Sequence, residues 1–215
     1  NESTVYLADS KNAPYGEKSK ETIVDFGIKN VEMLLSMGCK IIVVACNTAT
    51  TNSISILREK YDVPFIGIEP ATKSAALTTE TGKIGVLATQ GTLKSELFLA
   101  TSSPYRDQLE IVEIEGKGLV QLIEAGKITE TKPLLQDYLQ PMIEKQVDNL
   151  VLGCTHYPFL IPIIQNIIPS SIKIVDSGEA VAKQTRKVLT NEGLLNSSVQ
   201  QPNYKFYTNH QLSIL

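Results

Sequence analysis

The sequence predicts an α/β protein built on parallel sheets, arranged as two domains. Three observations carry this. Apolar runs such as "KIIVVA" (40–45), "KIGVLAT" (83–89) and "NLVLGC" (149–154) are rich in β-branched residues. They lack strict alternation, so they read as strands covered on both faces. Between them lie segments with helical spacing, and strands alternating with helices imply parallel neighbours.

The elements follow in order. Residues 20–37 form a helix, with Val24, Ile28, Val31 and Leu35 on one face, and Gly38 stops it. The strand 40–45 follows, then a helix over 51–60 and the strand "VPFIGI" (63–68). "KIGVLAT" leads into a Gly91–Thr92 turn and a helix near 92–100. "EIVEIE" (110–115) is a strand by alternation, and Leu119, Leu122 and Ile123 mark a short helix. A longer helix spans 130–146, with Pro133 in its first turn and Pro141 expected to kink or split it. The strand 149–154 precedes a helix over 158–168, the strand "IKIVDS" (172–177), an amphipathic helix over 178–192 and a last strand, "YKFYT" (204–208). The rhythm breaks over "EPATKSAALTTETG", where the chain is expected to cross into a second domain, and it crosses back near 177–183. The first domain is then residues 1–73 plus 181–215, and the second 74–180.

Composition narrows the function. The chain has 215 residues, a net charge of −3 and scattered basic residues, so a basic nucleic-acid-binding face is not expected. No apolar stretch of about 18 residues indicates a membrane span, and the N-terminus has no signal-peptide pattern. Cys39, Cys46 and Cys154 are too few and unevenly placed for a disulfide framework, which fits a reducing cytoplasm. No metal-ligand spacing occurs, so no metal is expected. A phosphate-binding glycine loop is also absent.

Two strand ends carry the chemistry. "VVACNTAT" (43–50) and "LVLGCTHYP" (150–158) each run from an apolar strand into cysteine and then polar residues. Ligands in open α/β sheets bind beyond the carboxyl ends of strands. A thiol there also lies near the start of the next helix, whose N–H groups favour thiolate. Free cysteine also packs as a small hydrophobe, which is the reading for Cys39. Cys46 and Cys154 differ because Asn47, Thr48, Thr155 and His156 follow them and can hold a polar ligand. Two such thiols suit proton transfer at a carbon beside a carboxylate, one from each face. A Cys–His hydrolase would need only one thiol, and a disulfide oxidoreductase needs thiols that touch.

"ACNTA" (45–49) and "GCTHYP" (153–158) resemble the signature segments of the cofactor-independent glutamate racemases, within the aspartate/glutamate racemase superfamily. "APYG" (13–16), "IGVLATQGTLKS" (84–95) and "VDSGEAVA" (175–182) resemble that family's substrate loop, second-domain opening and return crossing. His156 resembles the glutamate branch, since aspartate racemases usually carry Glu there. The resemblance implies two Rossmann-like, flavodoxin-like domains with the active site in the cleft between them. It implies Cys46 and Cys154 as acid/base catalysts, with His156 assisting Cys154. It implies Tyr15, Gly16, Asn47, Thr48, Thr89, Thr92, Thr155 and His156 as substrate-binding residues. Glu124 aligns with a family carboxylate that orients the histidine. No cofactor is implied. The implied setting is a cytoplasmic homodimer supplying D-glutamate for peptidoglycan.

The family pattern opens with a strand ending in Asp–Ser–Gly, whereas "NESTVYLAD" resembles the strand after it. Asp9 matches the residue before the "PYG" loop instead. The expectation is a fragment whose first sheet lacks an inner strand, with further chain beyond "YTNHQLSIL". Asp176–Ser177 is expected to cap the helix after it. "GEKSKE" (16–21) is a solvated helix entrance, and His210 a surface residue. A racemase of aspartate or another small acid, and a non-catalytic amino-acid-binding protein, are the alternatives.

Overall fold

Strands and helices alternate along almost the whole chain in the computed structural model, which describes residues 2–197 and 201–210. β1 (Thr4–Ala8) is followed by α1 (Lys20–Ser36), β2 (Ile42–Val44), α2 (Asn47–Lys60) and β3 (Phe65–Gly67). Next come α3 (Thr72–Thr78), β4 (Lys83–Ala88), α4 (Gln90–Leu93), α5 (Glu96–Arg106) and β5 (Glu110–Glu115). α6 (Leu119–Glu124), α7 (Lys132–Glu144), β6 (Asn149–Gly153), α8 (Ile161–Ile164), β7 (Lys173–Val175), α9 (Gly178–Asn191) and β8 (Tyr204–Thr208) complete the order.

Every described strand pair is parallel. A four-stranded sheet has the order β5-β4-β6-β7, with β4 and β6 at its centre. Side chains on a strand point alternately to opposite faces. Leu87, Leu150 and Leu152 therefore pack with Leu135, Leu139 and Met142 of α7. Ile84, Val86, Ala88 and Val151 face the other way, onto Ala75 of α3 and Phe98 of α5. That double coverage is why these strands are apolar at nearly every position. Each fully buried Leu or Ile contributes roughly 1.5–3 kcal/mol.

The remaining strands form two separate parallel pairs, β1–β8 and β2–β3. Val31, Ile54 and Leu57 of α1 and α2 pack on Ile42 and Phe65 to make a third core. No ladder joins β1 to β2 among the described residues, and residues of both strands line one cavity. Val43 is 37% exposed in consequence, although its run reads as a fully buried strand. Ser177 Oγ donates to the Glu69 carbonyl, tying together the two places where the chain passes between sheets.

Four local expectations are corrected. α2 starts at Asn47, four residues before the predicted helix, because Cys46 caps it. α7 is one helix through Pro141 rather than two, with the proline in its last turn, where it removes a single i→i−4 hydrogen bond. The predicted helix 158–168 shrinks to a 3₁₀ turn and the four-residue α8, interrupted by Pro158 and Pro162. Ser177 makes no side-chain cap; Asp176 Oδ1 accepts from Gly178 N at 2.7 Å instead.

Gly153 ends β6 immediately before Cys154. A Cβ there would lie 2.6 Å from Ala88 Cβ and 3.3 Å from Pro70 Cγ. Gly153→Ala should cost about 1–3 kcal/mol in chemical denaturation, since neither neighbour can turn aside. Gly85→Ala meets the flexible Met142 side chain, 2.6 Å from its sulfur, and should cost less. The reverse ranking would contradict this packing.

Candidate active site

Parallel strands deliver the chemistry to one end of the sheets. β2 ends two residues before Cys46, and β6 ends immediately before Cys154. Both thiols open on a cavity of about 1490 Å³ that Tyr15, Gly16, Thr48, Thr89, Glu124, Thr155 and His156 also line.

Cys46 is the N-cap of α2, its Sγ accepting from Ala49 N at 3.5 Å. Burial pushes this thiol up, while the Ala49 and Thr48 amides pull it down; the net direction is up. Cys154 is more deeply placed, and burial raises it to about 12. The His156 and Tyr157 amides oppose that rise, and the negative charge of Cys46 adds to it. The two thiols are therefore electrostatically coupled: ionising one disfavours ionising the other.

His156 lies beside Cys154, with Nδ1 3.9 Å from the sulfur. Its Nε2 is 2.6 Å from Glu124 Oε1. A carboxylate on one ring nitrogen fixes the orientation of the imidazole. Glu124 is the last residue of α6, so a helix end in one segment and a strand end in another meet at the histidine.

Across the cleft, three hydroxyls converge. Thr48 Oγ1 is 2.9 Å from Thr89 Oγ1 and 3.3 Å from Thr92 Oγ1, and those two are 3.1 Å apart. Thr48 belongs to α2, while Thr89 caps α4, so this cluster joins the two sheet systems. Gly16 packs against it: a Cβ at Gly16 would lie 3.0 Å from Thr89 Cβ.

Asn47 and Thr92 are buried and are not among the residues lining the cavity, although the sequence places them in the site. Asn47 Nδ2 has no hydrogen-bond partner. Among the described residues, no three His, Cys, Asp or Glu side chains converge as a metal-binding group. No described helix is long and apolar enough to cross a membrane.

Two strand-end thiols on parallel α/β sheets open on one cavity, and one of them stands beside a histidine–carboxylate pair. The chain belongs to the Asp/Glu/Hydantoin racemase family, whose model matches residues 1–185. Within that family it is similar to the glutamate racemase of Ectopseudomonas mendocina, at 45% identity over 91% of this chain and 75% of that protein. Among solved structures, it resembles Escherichia coli glutamate racemase in complex with L-glutamate and an activator. That match has a TM-score of 0.83 and 33% identity, and covers 96% of this chain and 79% of that one. Francisella tularensis glutamate racemase in complex with D-glutamate is similar at a TM-score of 0.82 and 27% identity, covering 100% of this chain and 81% of that one.

The buried thiol sets a pH dependence. An unfolded chain releases the Cys154 proton near the ordinary value of 9.0, whereas the folded chain holds it to about 12. The folded state then binds more protons above pH 9, so this group lowers stability as pH rises from about 9 to about 12. Denaturant titrations should show a smaller alkaline loss for Cys154→Ser than for the native sequence. Equal losses would mean that the thiol is not buried as described.

Proposed function

We propose that this chain acts as a glutamate racemase, interconverting L- and D-glutamate by two-thiol proton transfer at the α-carbon. The observation that carries this reading is the pair of strand-end thiols, Cys46 and Cys154, opening on one cavity. Glutamate racemases with bound L- and D-glutamate among the similar structures support the choice of substrate.

The α-hydrogen of an amino acid is a very weak acid, so its abstraction needs a strong base held close. Burial supplies basicity: a thiol pushed up gives a thiolate that takes a proton more readily. The cost is that few thiolates exist in the empty site. The ammonium group of glutamate offsets part of that cost on binding, because a nearby cation favours the ionised sulfur. One sulfur then removes the α-hydrogen while the other, still protonated, returns one from the opposite face. The product leaves the two sulfurs with exchanged protonation, ready for the opposite direction. Repulsion between two buried thiolates favours the singly ionised pair that this cycle requires.

His156 and Glu124 serve the Cys154 half. The Glu124 carboxylate holds the ring, and Nδ1 faces the sulfur, where it can stabilise thiolate or exchange its proton. Thr48, Thr89 and Thr155 offer hydroxyls to the substrate carboxylates, and Tyr15 and Gly16 close the cavity wall. We assign residues 1–73 with 181–215 to one domain and 74–180 to the other. The separate β2–β3 and β4–β7 cores support that division. The family resemblance supports a cytoplasmic homodimer in the service of peptidoglycan synthesis.

In the full-length protein, Cys46→Ala and Cys154→Ala should each lower racemisation by about a thousandfold or more. Unimpaired turnover in either variant would end the proposal. In deuterium oxide, the product should gain solvent deuterium at the α-carbon before the recovered substrate does; equal early labelling would indicate a single shared base. Glu124→Gln should lower kcat/KM about tenfold, equally in both directions, because enantiomers have an equilibrium constant of one. An unchanged kcat/KM would remove Glu124 from the mechanism.

A further inference from the structure

We propose that Asp9 is a positioning residue for the reaction, acting through Tyr15 to hold the Tyr15–Gly16 wall of the cavity in its working place. The inference rests on the glutamate racemase reading for its kinetic consequences, though not for its structural ones.

Asp9 follows directly on β1, and its carboxylate gathers four donors. Oδ2 accepts from the Tyr15 hydroxyl and from Asn30 Nδ2 at 3.3 Å. Oδ1 accepts from Asn12 Nδ2 at 2.7 Å and from Asn209 Nδ2. A carboxylate has about four lone-pair directions, so this one is fully used. The donors come from separate parts of the fold: the turn at Ser10–Asn12, the turn at Tyr15–Glu17, α1, and the residue after β8. Asn209 Oδ1 in turn accepts from Lys11 N at 2.9 Å, which closes the loop back onto the same hub.

Tyr15 is consequently held at both ends. Its ring packs on Phe26, with centroids 5.7 Å apart, and its hydroxyl is fixed by Asp9, with Asn30 Nδ2 also within 3.5 Å of it. The next residue, Gly16, stands against Thr89, and a Cβ on Gly91 would lie 3.1 Å from the Gly16 carbonyl oxygen. Tyr15 and Gly16 thus bridge the Asp9 hub on one side and the threonine hydroxyl cluster on the other. Gln121 Nε2, on the helix that carries Glu124, donates to Glu17 Oε1 at 2.6 Å and ties the end of the same turn across the cleft.

Asp9 has no acceptor left for a ligand, so its influence passes through the loop. If the hub loosens, only a fraction of molecules present the wall correctly. Apparent affinity then falls by that fraction, while a molecule that has bound substrate reacts normally. The signature is a raised KM with kcat kept. A hub that merely supported folding would do the opposite, lowering the active fraction and hence kcat with KM unchanged.

The test uses the full-length protein with Asp9→Asn, Tyr15→Phe and the double variant. Tyr15→Phe removes the shared hydrogen bond while leaving the other three donors on Asp9, so it remains informative if Asp9→Asn folds poorly. Each single variant should raise the KM for glutamate about tenfold with kcat within about threefold, and the double should be no worse than the more affected single. A fall in kcat at constant KM, or losses that multiply in the double variant, would overturn the proposal. Amide hydrogen exchange over residues 10–17 gives a readout independent of substrate. Both single variants should speed it while sparing the central four-stranded sheet, and unchanged exchange would overturn the proposal whichever substrate the enzyme takes. Failure of the native protein to racemise glutamate would count against the assigned substrate and leave the exchange result to decide the role of Asp9.

Discussion

Everything in this structure turns on where a parallel sheet puts the ends of its strands. β2 and β6 both run toward the cavity, and each gives way there to a cysteine. β6 is buried along its whole length, so its direction is fixed by the core rather than by the ligand. A thiol at that point is held by rigid backbone, meets the amides of the next turn, and is cut off from most solvent. Those conditions conflict. The amides favour thiolate and burial disfavours it, and burial wins at both positions. The outcome is a pair of thiols both held above the ordinary thiol range, whose mutual repulsion discourages double ionisation.

The two halves are not equivalent. Cys154 has a histidine braced by a carboxylate, whereas Cys46 has the start of a fourteen-residue helix. Between the halves, three threonine hydroxyls and two closely packed glycines form the seam. Small polar side chains let the two sheet systems approach while keeping hydrogen-bond donors at the cavity mouth. Larger apolar residues there would seal the units together and remove the groups that can meet a carboxylate.

Much of this was legible in the sequence because the physics is local. The non-alternating runs identified β4 and β6, and their two-sided burial explains why that signal was strong. Cys46, Cys154 and His156 stood out as polar or reactive groups at strand ends. The start of α2 was misplaced because a cysteine cap lies outside the usual Ser, Thr, Asp and Asn signals. The segment after Cys154 was overextended as helix because an isoleucine-rich stretch imitates helical spacing, although its prolines limit it to short turns. The pairing of Glu124 with His156 came only from family resemblance, since no spacing rule links positions so far apart in the chain. The Asp9 hub was missed altogether. Its donors arise from four separate segments, and a single aspartate before "SKN" looks like an ordinary turn. The one available signal was an acidic residue at the carboxyl end of a strand, directly ahead of the Tyr15–Gly16 turn that lines the cavity.

The most direct test is a crystal structure of the full-length protein with D- or L-glutamate bound. The Cys46 and Cys154 sulfurs should lie on opposite faces of the substrate α-carbon, each within roughly 3–4 Å of it, as near-attack geometry requires. A substrate seated with both sulfurs on one face, or with either sulfur beyond reach of the α-carbon, would contradict two-thiol proton transfer.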